Sequence, residues 1–187
     1  MQKTKKSAKK LTAVDIVCIG LAAAIIAVCS QIAIPFAVPF TLQTFAVCTT
    51  AGLFGAKRGT ISVLIYILLG AAGVPVFSGF RGGISALLGV TGGYIIGFIF
   101  TALIIGTVSD KFNRKPLPLV ISMIFGLAVC YIFGTIWFMS MYAKNTGTIG
   151  ISAVLSMCVI PFIIPDIIKI ACAAFLCGRV RRHLKLQ

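Results

Sequence analysis

The sequence predicts an all-α, polytopic membrane protein with six transmembrane helices and both termini in the cytoplasm, and three observations carry that reading. First, 59% of the 187 residues are hydrophobic and only 11% are charged, against about 25% charged in an ordinary soluble domain. Mean hydropathy is +1.10. Second, the apolar residues fall into six stretches near the ~20 residues that a span requires, with short joints between them. Third, the basic residues follow a membrane. With the N-terminus inside, the cytoplasmic segments carry Lys3, Lys5, Lys6, Lys9, Lys10, Lys57, Arg58, Lys111, Arg114, Lys115, Arg179, Arg181, Arg182 and Lys185, which is 14 of the 17 Lys and Arg. The outer joints hold only Arg81 and Lys144, and Lys169 lies within a span. This asymmetry is the positive-inside pattern. It also removes nucleic acid as the meaning of the +14 net charge, because no basic patch is interleaved with aromatics in a soluble fold.

The expected spans are 13–35, 40–56, 59–77, 86–108, 117–142 and 149–178, within a single transmembrane domain over 1–187. A basic cytoplasmic segment (1–12) precedes them and a basic tail (179–187) follows. The Lys-rich start resembles a signal peptide, but its apolar run continues for about 20 residues without a clear cleavage site, so it reads as a retained first helix.

In that helix, GLAAAIIAVCS pairs Gly20 with Ala24 and Ala23 with Ala27, one turn apart. Small strips of this kind let another helix approach closely, within the bundle or from another membrane protein. The next joint, IPFAVPFTLQTF (34–45), is uncharged and holds two prolines, with Thr41, Gln43 and Thr44 at its far end. The Gln43 amide can donate and accept, so it suits either a polar ligand or an interhelical bond.

After the third span comes GVPVFSGFRGGISALLGVTGGYIIGF (73–98), the most irregular stretch. Gly79, Gly82 and Gly83 suit a looping backbone from which Arg81 projects. Irregular backbone near membrane depth is tolerated where it is buried or lines a wet cavity, and Phe77 and Phe80 favour the mouth of a site over an exposed tip. Gly89, Gly93 and Gly97, spaced by four, make a smooth packing groove. The fifth span ends with Trp137 and Tyr142 at the expected level of an aromatic belt.

The last span contains PFIIPDIIKI (161–170), with Asp166 and Lys169 in an otherwise apolar run. At about 1.5 Å per residue, Asp166 lies about 20 Å from the basic stop at Arg179, which is mid-bilayer. A charge there costs about 2.5–3.5 kcal/mol on insertion scales. At i and i+3 the two side chains share a face with Phe162, so they neutralise each other or meet a third polar group together. Pro161 and Pro165 free carbonyls just upstream. The bland alternative is an ion pair that fixes helix register. The face is therefore expected to border a pocket, since ionisable residues within spans mark binding sites or proton paths.

Other chemistries find little support. The seven cysteines are an odd number, lie within spans and form no CxxC pair, and His183 stands alone in the tail. No metal site or thiol nucleophile is expected, and the inventory lacks the dyads of an intramembrane enzyme. GLFGAKRG (52–59) has the wrong spacing for a phosphate-binding loop, so uphill transport would need a separate ATPase or an ion gradient.

VPFTLQTFAV, GVPVFSGFRGGISALLGVTGGYIIGF and PFIIPDIIK, in this order, resemble the BioY family, the biotin-capturing S components of bacterial and archaeal energy-coupling-factor (ECF) vitamin transporters. The resemblance spans residues 12–180. It departs at Val90, where the family usually has proline, and at Pro165, where it usually has glycine. It implies a prokaryotic cell-membrane protein of the six-helix S-component fold, with no cofactor and with biotin as its ligand. It further implies a pocket toward the outer side, closed by the loops after helices one and three. Ala23 and Ala27 would dock a transmembrane scaffold (T component) that carries two cytoplasmic ATPases. On this reading Asp166 accepts a ureido N–H, Lys169 bonds the ureido oxygen or steadies Asp166, and Gln43 adds a polar contact. Phe77, Tyr94 and Phe162 cover the rings, while Arg81 with the amides of Gly82 and Gly83 holds the carboxylate. The alternatives are a proton-coupled secondary transporter of a vitamin-like substrate, an S component for a different vitamin, or a purely structural assembly protein.

Overall fold

The structure, a computed structural model, describes residues 11–35, 38–113, 115–145, 147 and 149–183. Helix α1 (Ala13–Gln31) begins at a capping box: Asp15 N donates to Thr12 Oγ1 (3.2 Å) and Thr12 N donates to the Asp15 carboxylate (2.8 Å). Two amides that the first turn leaves orphaned are thereby satisfied. Where the first span was expected to run on to residue 35, the helix instead ends at Gln31 and a small hairpin follows. Strands β1 (Ala33–Ile34) and β2 (Phe40–Thr41) pair antiparallel, Ala33 opposite Thr41 and Ile34 opposite Phe40.

Helix α2 (Gln43–Ala71) is two legs that meet at Gly55, which has φ +78° and ψ −174°. A Cβ at Gly59 would stand 2.7 Å from the Ala51 Cα, whereas positions eight apart in a straight helix are separated by about 12 Å. The chain therefore doubles back at Gly55, and the second and third expected spans are these two legs. The left-handed φ favours glycine, and a Cβ at Gly55 would lie 2.1 Å from Asp110 Oδ1. Asp110 Oδ2 accepts the Ala56 N–H at 2.9 Å, so an acid from a distant helix caps the second leg.

Then follow the short helix α3 (Ile84–Leu87), α4 (Gly92–Lys111), α5 (Pro116–Asn145), α6 (Ile151–Cys158) and α7 (Ile160–His183). The fourth expected span starts late because the chain folds tightly between Leu87 and Gly92, where a Cβ would be 1.7 Å from the Leu87 carbonyl oxygen. The sixth is interrupted at Val159 (φ −126°, ψ −57°). Pro161 then occupies the first turn of α7, where a missing N–H costs nothing, and Pro165 alone lies inside the helix.

Backbones approach closely through small residues. Ser109 Oγ donates to Gly52 O (2.7 Å), Thr101 Oγ1 donates to Gly126 O (2.9 Å), and Gly93 and Gly97 lie against Trp137 and Cys130. Trp137 is thus more than a belt anchor, for its Nε1 donates to Gly89 O at 3.0 Å. The outer surface is apolar, with Val17, Leu68, Ile164 and Phe175 exposed. Among the described residues five helical stretches are long and apolar enough to cross a membrane, α6 and α7 together making one of them, and with α2 folded in two the bundle has six segments.

Ala23 is buried in the core and Ala27 is half-buried against it, so this strip packs toward the bundle. The parallel strip of Gly20 and Ala24 is the exposed one, with open space around Gly20.

The two ends of the bundle differ in chemistry. At one end Asp15 pairs with Arg58 at 2.5 Å, Asp110 holds the Gly55 turn, and Cys177 Sγ reaches Thr49 O at 3.7 Å. The start of α1 and the C-terminal part of α7 therefore lie on the same side. The hairpin, the glycine loop and the start of α4 form the opposite end.

Candidate binding site

The first leg of α2 up to Gly55 spans about 18 Å, well short of a ~30 Å hydrocarbon core. Above its first residues opens a cavity of about 750 Å³, part of it solvent at the mouth. The wall comes from the hairpin, the glycine loop, α4, α5, α6 and α7.

At its buried side lies the charged pair. Lys169 Nζ donates to Asp166 Oδ1 at 2.7 Å, and the two residues are 6% and 2% exposed. The Tyr131 hydroxyl, from α5, donates to Asp166 Oδ2. Lys169 also presents its ammonium to the face of Phe40, 3.9 Å from the ring centroid, a cation–π contact that gains strength where water is excluded. Phe40 in turn packs on Phe162, centroids 6.0 Å apart. The charges are thus compensated from three elements, yet capacity remains, because a carboxylate accepts about four hydrogen bonds and an ammonium donates three.

Gln43 is 4% exposed and lines the cavity, and its Nε2 has no hydrogen-bond partner among the described residues. Tyr94 lines the α4 wall, its hydroxyl 3.3 Å from Thr135 Oγ1. Phe77 is buried edge-on against Tyr66, centroids 5.5 Å apart, in a recess opened by Gly70, where a Cβ would fall 2.0 Å from the Phe77 ring. Arg81 is exposed at the mouth, its Nε donating to Ser78 O at 3.0 Å.

The structure therefore brings Gln43, Phe77, Arg81, Tyr94, Phe162, Asp166 and Lys169 to one cavity. It does not bring Gly82 or Gly83 there. Gly82 lies against the backbone of Gly73 and Val74, and Gly83 spends its N–H on Gly70 O at 2.7 Å. The Phe80 and Arg81 amides are likewise engaged, with Gln31 Oε1 and Phe77 O, so the glycine loop builds a wall instead of offering an anion nest. Sequence reasoning missed Tyr131 and Phe40. A phenol amid AVCYIF in mid-span was the available signal for the first, since its hydroxyl needs a partner there. Nothing local pointed to Phe40 over an amine far along the chain.

Residues 2–186 match the model of the BioY family. A biotin transporter BioY from Thermotoga maritima is 38% identical over 164 residues, covering 87% of this chain and 93% of that protein. A probable biotin transporter BioY from Pyrococcus horikoshii is 37% identical over 172 residues, covering 91% and 98%. Among solved structures, the S-component for biotin from an ECF-type ABC transporter superposes with a TM-score of 0.80 at 27% identity, covering 92% of this chain and 95% of that one. Family match, near full-length relatives and a shared six-segment bundle agree: the chain belongs to the BioY family.

Proposed function

We propose that this protein captures biotin at the outer face of a prokaryotic cell membrane as the S component of an ECF-type transporter. The observation that carries this is the Asp166–Lys169 pair, which borders a cavity that Gln43 also lines. Biotin's ureido ring offers two N–H donors and one oxygen acceptor, the complement of one carboxylate acceptor and two nitrogen donors. Asp166 accepts a ureido N–H and Lys169 or Gln43 donates to the ureido oxygen. Phe77, Tyr94 and Phe162 flank the apolar ring, and Arg81 holds the tail carboxylate at the mouth as a charge-assisted pair. Lys57, Arg58, Lys111 and Arg179 belong to the opposite end, which supports a cytoplasmic placement for it and for both termini. The chain's likeness to the S-component for biotin of an ECF-type ABC transporter supports assembly with a membrane scaffold and cytoplasmic ATPases, here a T component and two ATPase subunits.

Calorimetry with biotin on the purified unaltered protein and on Asp166→Asn, Lys169→Ala and Arg81→Ala tests this. Loss of one charge-assisted hydrogen bond is worth about 1.5–3 kcal/mol, or roughly 10–150-fold in affinity. Unchanged affinity in all three variants would remove the proposed site.

A further inference from the structure

Gln31, the last residue of α1, does not line the cavity, yet its amide reaches the loop that does. Nε2 lies 3.0 Å from Val76 O and 3.1 Å from Phe77 O, and Oε1 accepts the Phe80 N–H at 3.0 Å. Pro75 O and Ser30 Oγ are also near, at 3.4 and 3.1 Å, but an amide has two hydrogens, and the two shorter carbonyl contacts bind the loop. The neighbouring Ser30 hydroxyl donates to Val76 O as well. The held segment is a tight turn closed by Phe77 N→Arg81 O (2.9 Å) and Arg81 N→Phe77 O (3.1 Å). Both residues that close it line the cavity. At its tip Phe80 has φ +54°, a left-handed conformation that aromatic residues rarely adopt, and the amide of this residue is the one Gln31 accepts.

We infer that Gln31 is a positioning residue that holds the turn over the cavity and so sets how long a ligand stays, without touching it. A side chain that must donate to two carbonyls and accept one amide at once is met only by a carboxamide, and Asn is one methylene short.

The test uses the full chain in lipid nanodiscs, comparing the unaltered protein with Gln31→Met, which keeps length without hydrogen bonds, and Gln31→Glu, which keeps the acceptor but sets oxygen against the carbonyls. Labelled biotin is loaded and then chased with unlabelled biotin, an arm that rests on the proposed function. Dissociation is expected to accelerate about tenfold or more in both variants, with association changed by less than about threefold. A merely structural role would lower thermal stability without splitting the rates. Unchanged dissociation, or equal loss in both rates, overturns the inference. Hydrogen exchange without ligand is the second arm. The Phe80 and Arg81 amides are expected to exchange faster in both variants while α4 and α5 do not change. If the unaltered protein fails to bind biotin, the proposed function falls and this arm alone decides; unchanged exchange then overturns the role of Gln31.

Discussion

Gly134→Ala is the most informative single change, because its effect can be worked from distances. A Cβ at Gly134 would stand 2.2, 2.4 and 2.6 Å from Cδ1, Cε1 and Cγ of Tyr94. Ordinary contact begins near 3.4 Å, so the ring has to yield by about 1.2 Å. Helix α4 is backed on its other side by α2, where Ser109 Oγ donates to Gly52 O at 2.7 Å and a Cβ at Gly106 would already stand 2.4 Å from the Ala56 Cα, so retreat of the whole helix is opposed. The ring therefore moves toward the cavity it lines, away from Thr135. Overpacking of this kind costs about 1–3 kcal/mol, and where ligand and ring compete for the same space that is about 5–150-fold in affinity. Calorimetry should show weakened biotin binding and a smaller loss for desthiobiotin, which lacks the sulfur and is slimmer at the ring. Biotin affinity equal to that of the unaltered protein, with unchanged thermal stability, would refute the placement of Tyr94 as a fixed wall.

Tyr131→Phe leaves Asp166 Oδ2 without its phenol and is expected to weaken biotin binding by about tenfold or more in calorimetry, as a lost hydrogen bond to a charged group does. Lys169→Met strands a buried carboxylate. Breaking such a pair costs about 3–5 kcal/mol, so thermal unfolding should occur far lower, whereas Asp166→Asn combined with Lys169→Met should recover much of the stability and none of the binding. Asp110→Ala removes the cap on Ala56 and should cost about 0.5–2 kcal/mol in thermal unfolding while leaving biotin affinity unchanged.

The six segments were legible because hydropathy and basic residues are one-dimensional signals, and the pair at Asp166 and Lys169 stood out because charge in hydrocarbon is costly. The rotation of α1 was not legible. Its residues are apolar on every face, so nothing in the sequence distinguishes Ala23 and Ala27, which turn inward, from Gly20 and Ala24, which turn outward. Lipid and protein interior are equally apolar solvents, and the amphipathic signal that orients a soluble helix vanishes between them. The reversal at Gly55 depends on Asp110, and the compensation of Lys169 depends on Phe40. Both partners are remote in sequence, as is Tyr131 from Asp166, and only the packed bundle brings them together.

The arrangement of polar groups along the cavity bears on which end of a ligand enters first. At the buried side Asp166 offers an acceptor, and Lys169 and Gln43 offer donors. Opposite charges there sum to zero, so an entering carboxylate would meet Lys169 only by opposing Asp166, at a dielectric where such opposition is costly. A neutral head with paired donors and an acceptor satisfies all three groups without adding charge. At the mouth Arg81 is exposed and has no ion pair among the described residues, so a carboxylate there gains attraction and keeps part of its hydration. Were the pair only a register device, sealing it against apolar neighbours would serve as well, and nothing would require it to border a cavity that the Gln43 amide also lines. The separation of a neutral, hydrogen-bonding depth from a cationic rim thus favours a molecule with a urea-like head and an acidic tail, bound head first.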